Sequence, residues 1–123
     1  MTQVILGPGE AVKKQAIAKT RKPNETFYWD YLATMTNKRI FAEDQLGTLI
    51  FNFYLKDIDR AEVHKSFWKG NSVHLILRNG NDFMFKLMKD NINVDEVATQ
   101  VWVNTINQVQ LVMKNQVPQT PMR

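Results

Sequence analysis

The hydrophobic period of this sequence changes once, near Asn93, and that change restricts the fold more than any other feature. Up to residue 88 the apolar side chains favour a spacing of two. Val73, Leu75 and Leu77 alternate with His74, Ile76 and Arg78, and Phe83, Phe85 and Leu87 alternate with Met84, Lys86 and Met88. Leu49, Phe51, Phe53 and Leu55 repeat the pattern, with Ile50 out of phase. A spacing of two sends alternate side chains to one face of a strand. After Asn93 the spacing becomes three and four, through Val94, Val97, Ala98, Val101, Trp102, Thr105, Ile106, Val109, Val112 and Met113. Those positions share one face of a helix.

Turn chemistry divides the first part into short strands. Arg21-Lys22-Pro23-Asn24-Glu25, Thr36-Asn37-Lys38, Asp44-Gln45-Leu46-Gly47, Lys69-Gly70-Asn71-Ser72 and Asn79-Gly80-Asn81-Asp82 all carry turn residues. Seven strands are expected within residues 11–88. One helix is expected over about 94–115, with Asn93 and Glu96 as a capping box and Pro118 preventing continuation. Residues 117–123 read as a frayed tail. Seven strands and one amphipathic helix must hide their sheet edges. A barrel or orthogonal sandwich, stoppered by the helix with Trp102 buried, does so. The expectation is a mainly β (α+β) single domain over 1–123, with its core within about 9–115.

The chain has 123 residues, enough for one core, and contains no cysteine. Disulfides, thiolate metal sites and thiol nucleophiles are therefore excluded. No apolar stretch reaches the length that spans a bilayer. The expected setting is cytoplasmic, with at most a peripheral association with membrane. The net charge of +4 is unevenly placed. Lys13, Lys14, Lys19, Arg21 and Lys22 face only Glu10 in residues 1–22, whereas charges balance in residues 23–123. Those five cations are the candidate anionic-surface or lipid-binding residues.

Catalytic and metal chemistry finds little support. His64 and His74 are the only histidines and lack ligand spacing. Asp57 and Asp59 read as exposed carboxylates near a turn, and Ser66 and Ser72 have no fixed base beside them. No catalytic residue, metal or cofactor is expected. Alternate rings of Phe27–Tyr31 fill a barrel, so nucleic acid is not favoured as a partner. Phe67-Trp68-Lys69 adjoins a hairpin tip, where neighbouring aromatics cannot both face inward. This triplet is a candidate partner or membrane contact. The last turns of the helix carry Val109, Leu111, Val112 and Met113, more apolar surface than a barrel end needs. They are a candidate homo-oligomer interface.

Four features resemble the PH-like superfamily, in particular its GRAM and bacterial PH-like members. Gly9-Glu10 with Val12 resembles the family's opening before its first strand. Met35-Thr36-Asn37-Lys38-Arg39-Ile40 resembles its Leu-Thr-Asn-Lys-Arg-Leu hairpin. Ile58-Asp59-Arg60-Ala61-Glu62-Val63 resembles the strand before its last two hairpins, and Trp102 stands where a helix tryptophan often packs on the barrel. The resemblance covers about residues 9–115. It implies a seven-stranded barrel capped by one helix, and a fold that hosts lipid binders, peptide binders and scaffolds alike. Phosphoinositide-binding members carry a lysine late in the first strand, a role Lys19 matches, and a basic pair early in the second. Thr26-Phe27-Tyr28-Trp29-Asp30 lacks that pair.

Three functions stay open on the sequence. The first is a non-catalytic module recruited to a membrane surface or protein partner through weak, unselective contacts. The second is a self-assembling scaffold without a small ligand. The third is an enzyme, which would need a closed polar pocket with converging Asp and His.

Overall fold

The computed structural model describes residues 3–20, 29–66 and 70–116. Seven strands precede one helix: β1 (Val12–Thr20), β2 (Trp29–Thr36), β3 (Arg39–Glu43), β4 (Leu49–Tyr54), β5 (Ile58–His64), β6 (Ser72–Leu77), β7 (Asp82–Met88) and α1 (Glu96–Gln116). A single 3-10 turn, Leu55–Asp57, joins β4 to β5. The strands form one antiparallel sheet in the order β4-β3-β2-β1-β7-β6-β5, curled into a half-barrel. The architecture is the one expected, mainly β with a PH-like seven-stranded barrel capped by a C-terminal helix.

β1 is the hinge of the sheet. It pairs with β2 along its length and, through Ile17↔Met88, Ala18↔Leu87 and Lys19↔Lys86, with β7. Curling brings β4 over β7. Phe51 lies 4.9 Å from Phe83 and 5.0 Å from Phe85 between ring centroids, and Phe53 lies 5.2 Å from Phe83. Such aromatic pairs add about 1 kcal/mol beyond the area they bury. Trp102 is buried edge-on against Phe85 at 6.3 Å, so the helix is pinned to this cluster.

The helix presents a narrower buried stripe than its apolar pattern suggests. Thr99, Trp102, Val103, Ile106 and Gln110 are buried, whereas Val97, Val101, Leu111 and Val112 are exposed. Polar Gln110 belongs inside because it meets backbone. Its Nε2 donates to the Leu55 carbonyl at 2.6 Å, and its Oε1 accepts from Arg78 Nη2 at 3.2 Å. Asn107 closes the free edge of β5. Its Oδ1 accepts the Ala61 N–H and its Nδ2 donates to the Ala61 carbonyl, both at 2.9 Å. One amide thus makes both bonds that a further strand would make there, which blunts an edge open to pairing.

The N-cap differs from the sequence expectation. The helix starts at Glu96, and Asp95 caps it by accepting the Ala98 N–H at 2.9 Å. Asn93 is engaged in a turn instead. Asp90 Oδ1 accepts its N–H at 2.7 Å and that of Ile92 at 2.8 Å, and those bonds hold the Asp90 carboxyl below its ordinary range.

The two most family-like motifs form one knot. Thr36 Oγ1 accepts the N–H groups of Lys38 and Arg39, each at 3.0 Å, and donates to Glu10 Oε2 at 2.6 Å. Arg39 Nε donates to the same carboxylate oxygen at 2.8 Å. Asn37 Oδ1 accepts from Ala11 N at 2.8 Å, and its Nδ2 donates to the Gly9 carbonyl at 3.0 Å. The segment before β1 is thereby stitched to the β2–β3 hairpin. These bonds give the residues a part in holding the fold together at this corner.

Candidate functional site

Three of the five cations of the sequence fall within the described residues, all on β1. Lys13 and Lys14 stand at the start of β1 and Lys19 near its end, about 20 Å away at the rise of an extended strand. Lys13 is exposed and Lys14 half-buried. Arg21 and Lys22 lie outside the described residues, as do Phe67, Trp68 and Lys69. Of the four helix residues, Val109 and Met113 pack against the core while Leu111 and Val112 face away. The final turns therefore lie along the barrel rather than overhanging it.

Lys19 acquires neighbours that the sequence does not link to it. On β1 the buried Ala18 and Thr20 point inward, and Lys19 points to the outer face. On β7 the buried Phe85 and Leu87 point inward, so Lys86 points outward. Lys19 and Lys86 are direct partners across the β1–β7 pair. Ser72 and Lys86 each lie one residue beyond the Val73↔Phe85 pair, and Ser72 is the partner of His64 on β5. The result is a polar row across four strands: Lys19, Lys86, Ser72 and His64. With Ser66, Met84 and Phe85 these residues line a shallow cleft of about 260 Å³.

The electrostatics of the row are uneven. Like charges directly opposite on neighbouring strands repel. Asp30, the partner of Lys19 on β2, offsets part of this with Oδ1 at 3.5 Å from Nζ. A second imidazole stands behind the row. His74 lies edge-on to His64 at 6.1 Å between centroids, and its Nε2 is 2.7 Å from Asp82 Oδ2. Beyond Asp30, Glu43 and Asp44 line a separate acidic cleft with Gln3 and Tyr31. Buried Glu43 accepts the N–H groups of Gln3 and Val4 there, at 2.7 and 3.2 Å.

Among the described residues no cluster of three or more His, Asp or Glu side chains could hold a metal ion. Asp59 pairs with Arg60 at 2.8 Å. Among the described residues no helix is long and apolar enough to cross a membrane.

Comparison with known proteins bears on the fold. No family model matches the chain, and no curated protein matches it. Among solved structures, the hSac2 domain from the human phosphoinositide phosphatase Sac2 superposes with a TM-score of 0.64. The match covers 88% of this chain and 74% of that one, at 14% sequence identity. At that identity the likeness is one of fold, and this architecture carries many functions.

Proposed function

We propose that this domain is a non-catalytic docking module that lays the outer face of β1, β7, β6 and β5 against an anionic, phosphate-bearing membrane surface. The observation that carries the reading is the like-charged pair Lys19 and Lys86, in line with Ser72 and His64. Lys19 and Lys86 can each donate charge-assisted hydrogen bonds to anionic oxygens laid on this face. The Ser72 hydroxyl supplies a further donor. Arg21 and Lys22 follow Thr20 directly in sequence and extend the basic stretch.

Two features argue for weak, headgroup-unselective binding. The cleft is shallow and lacks the second-strand basic pair of phosphoinositide-selective members of the resembling family. The nearby Asp30, Glu43 and Asp44 also lower the local potential. A GRAM-like or bacterial PH-like relationship agrees with such a role.

Vesicle co-sedimentation tests it. Wild type should pellet with phosphatidylcholine vesicles containing about 30% phosphatidylserine, and not with phosphatidylcholine alone. The bound fraction should fall as salt rises from about 50 to 300 mM, since exposed charges are screened. A lysine near an anionic surface contributes about 1 kcal/mol. Replacing both, Lys19→Glu with Lys86→Glu, should therefore weaken partitioning by about thirtyfold or more. Failure to pellet at the lowest salt, or an unchanged double variant, would refute the proposal. So would micromolar selectivity for one phosphoinositide stereoisomer.

A further inference from the structure

The outer face of α1 points to a partner. No charged residue occurs between Glu96 and Lys114. A helix side turned to water ordinarily carries charges. Here the exposed side carries Val97, Val101, Asn104, Gln108 and Leu111, with Val112 beside them. The first five recur at spacings of four, three, four and three. That is the seam of a helix pair, and it lies opposite the stripe that packs on the barrel.

We propose that this seam binds the same seam of a second copy of the chain, the two helices running antiparallel about a two-fold axis between Asn104 and Gln108. The four central positions of the seam are self-complementary in that direction. Val101 falls opposite Leu111 of the second copy, and Asn104 falls opposite its Gln108. Apolar then meets apolar, and amide meets amide at the axis, where polar pairs fix register. Gln100 Nε2 already donates to Asn104 Oδ1 at 2.9 Å, which orients that central amide.

Charge decides between this occupant and others. Glu96 and Lys114 lie eighteen positions apart, five helical turns, and so share one flank of the seam. In an antiparallel pair like flanks face each other, so each Glu96 approaches the Lys114 of the other copy. In a parallel pair unlike flanks would face each other, so Glu96 and Lys114 would not meet. The helix supplies both signs at the positions its own copy needs. A two-fold contact uses the same patch on both subunits, as this pattern requires.

Sedimentation velocity on the full chain reads the association. The wild type should dimerise with a dissociation constant on the order of tens of micromolar, the range of weak specific pairs. Val101→Glu or Leu111→Glu should raise that constant at least tenfold. Glu96→Lys and Lys114→Glu should each weaken the dimer several-fold, and the two together should restore it. Because the chain lacks cysteine, single thiols report orientation. A mixture of Val101→Cys and Leu111→Cys should give the mixed disulfide in preference to either self-linked product. Thermal melts should leave all these exposed-site variants folded, which keeps a loss of association distinct from unfolding. A wild type monomeric at about 200 µM overturns the proposal. So does a dimer indifferent to Val101→Glu and Leu111→Glu, or preferential Val101→Cys self-linking. Monomers whose seam is covered by their own tail, residues 117–123, would also overturn it.

Discussion

Replacing Glu10 by glutamine should remove one acid-sensitive contribution to the stability of this fold. Burial works to raise the pKa of the Glu10 carboxyl. Hydrogen bonds from Arg39, Thr36 and the Gly7 N–H, with the charge of Arg39, outweigh it and bring the value from 4.5 down to about 2. A folded-state pKa below the unfolded one stabilises the native state above the unfolded pKa. That contribution is lost as pH falls toward the folded pKa. That shift corresponds to about 3 kcal/mol at neutral pH, of which about 2 kcal/mol has gone by pH 3. Glu10→Gln keeps the shape of the side chain but leaves Arg39 beside a neutral amide. Arg39 is buried, 4.6 Å from the Phe41 ring centroid, so it cannot recover full hydration. Urea unfolding at pH 7 should show Glu10→Gln destabilised by about 3 kcal/mol. Between pH 7 and pH 3 the wild type should lose about 2 kcal/mol more than the variant. Equal losses in the two proteins would mean that the carboxylate is not the acid-sensitive element.

Gly70 and Gly80 make a matched pair, since both hold a positive φ, at 80° and 92°. A Cβ on Gly70 would lie 2.6 Å from Val94 Cγ2, whereas one on Gly80 meets nothing within 4 Å. Gly80→Ala should cost about 1 kcal/mol for the left-handed backbone, and Gly70→Ala about 2 kcal/mol more for overpacking, measured by thermal melts. Equal costs would refute the crowding. Asn107→Ala should cost about 2 kcal/mol for the two backbone groups of Ala61 left unpaired, and should speed aggregation through the opened β5 edge. Light scattering at matched stability checks the second effect, and no rise in aggregation would count against the edge-blocking role.

The sequence disclosed the parts of this molecule governed by local periodicity. Alternation located the strands, the change near Asn93 located the helix, and Trp102 lies buried as its spacing implied. Where two local bonds compete, pattern was insufficient. Asn93 and Glu96 match a capping box, yet Asp90 takes the Asn93 N–H and Asp95 stands two residues closer to the first turn. The candidate site was half visible. Lys19 stood out by charge, but Lys86, Ser72 and His64 join it only through the register of β1 on β7, a pairing between distant segments. The apolar arc of the helix was visible too. Its division into a barrel side and an outer side was not, because Thr99 and Gln110 occupy buried positions by bonding to backbone.

The central place of β1 has a consequence for how the chain is made. The strands β1 to β4 form one run of consecutive hairpins and β5 to β7 another, and only the β1–β7 pairing joins them. A ribosome releases β1 first and β7 much later. At about 5–20 residues per second, one edge of β1 waits several seconds for its partner. Contacts so far apart in sequence also form late in refolding. During that interval the lysines at both ends of β1 give the waiting edge a charge that repels a second nascent copy. Lys13, Lys14 and Lys19 thus guard the open edge of β1 at its most exposed moment, during synthesis.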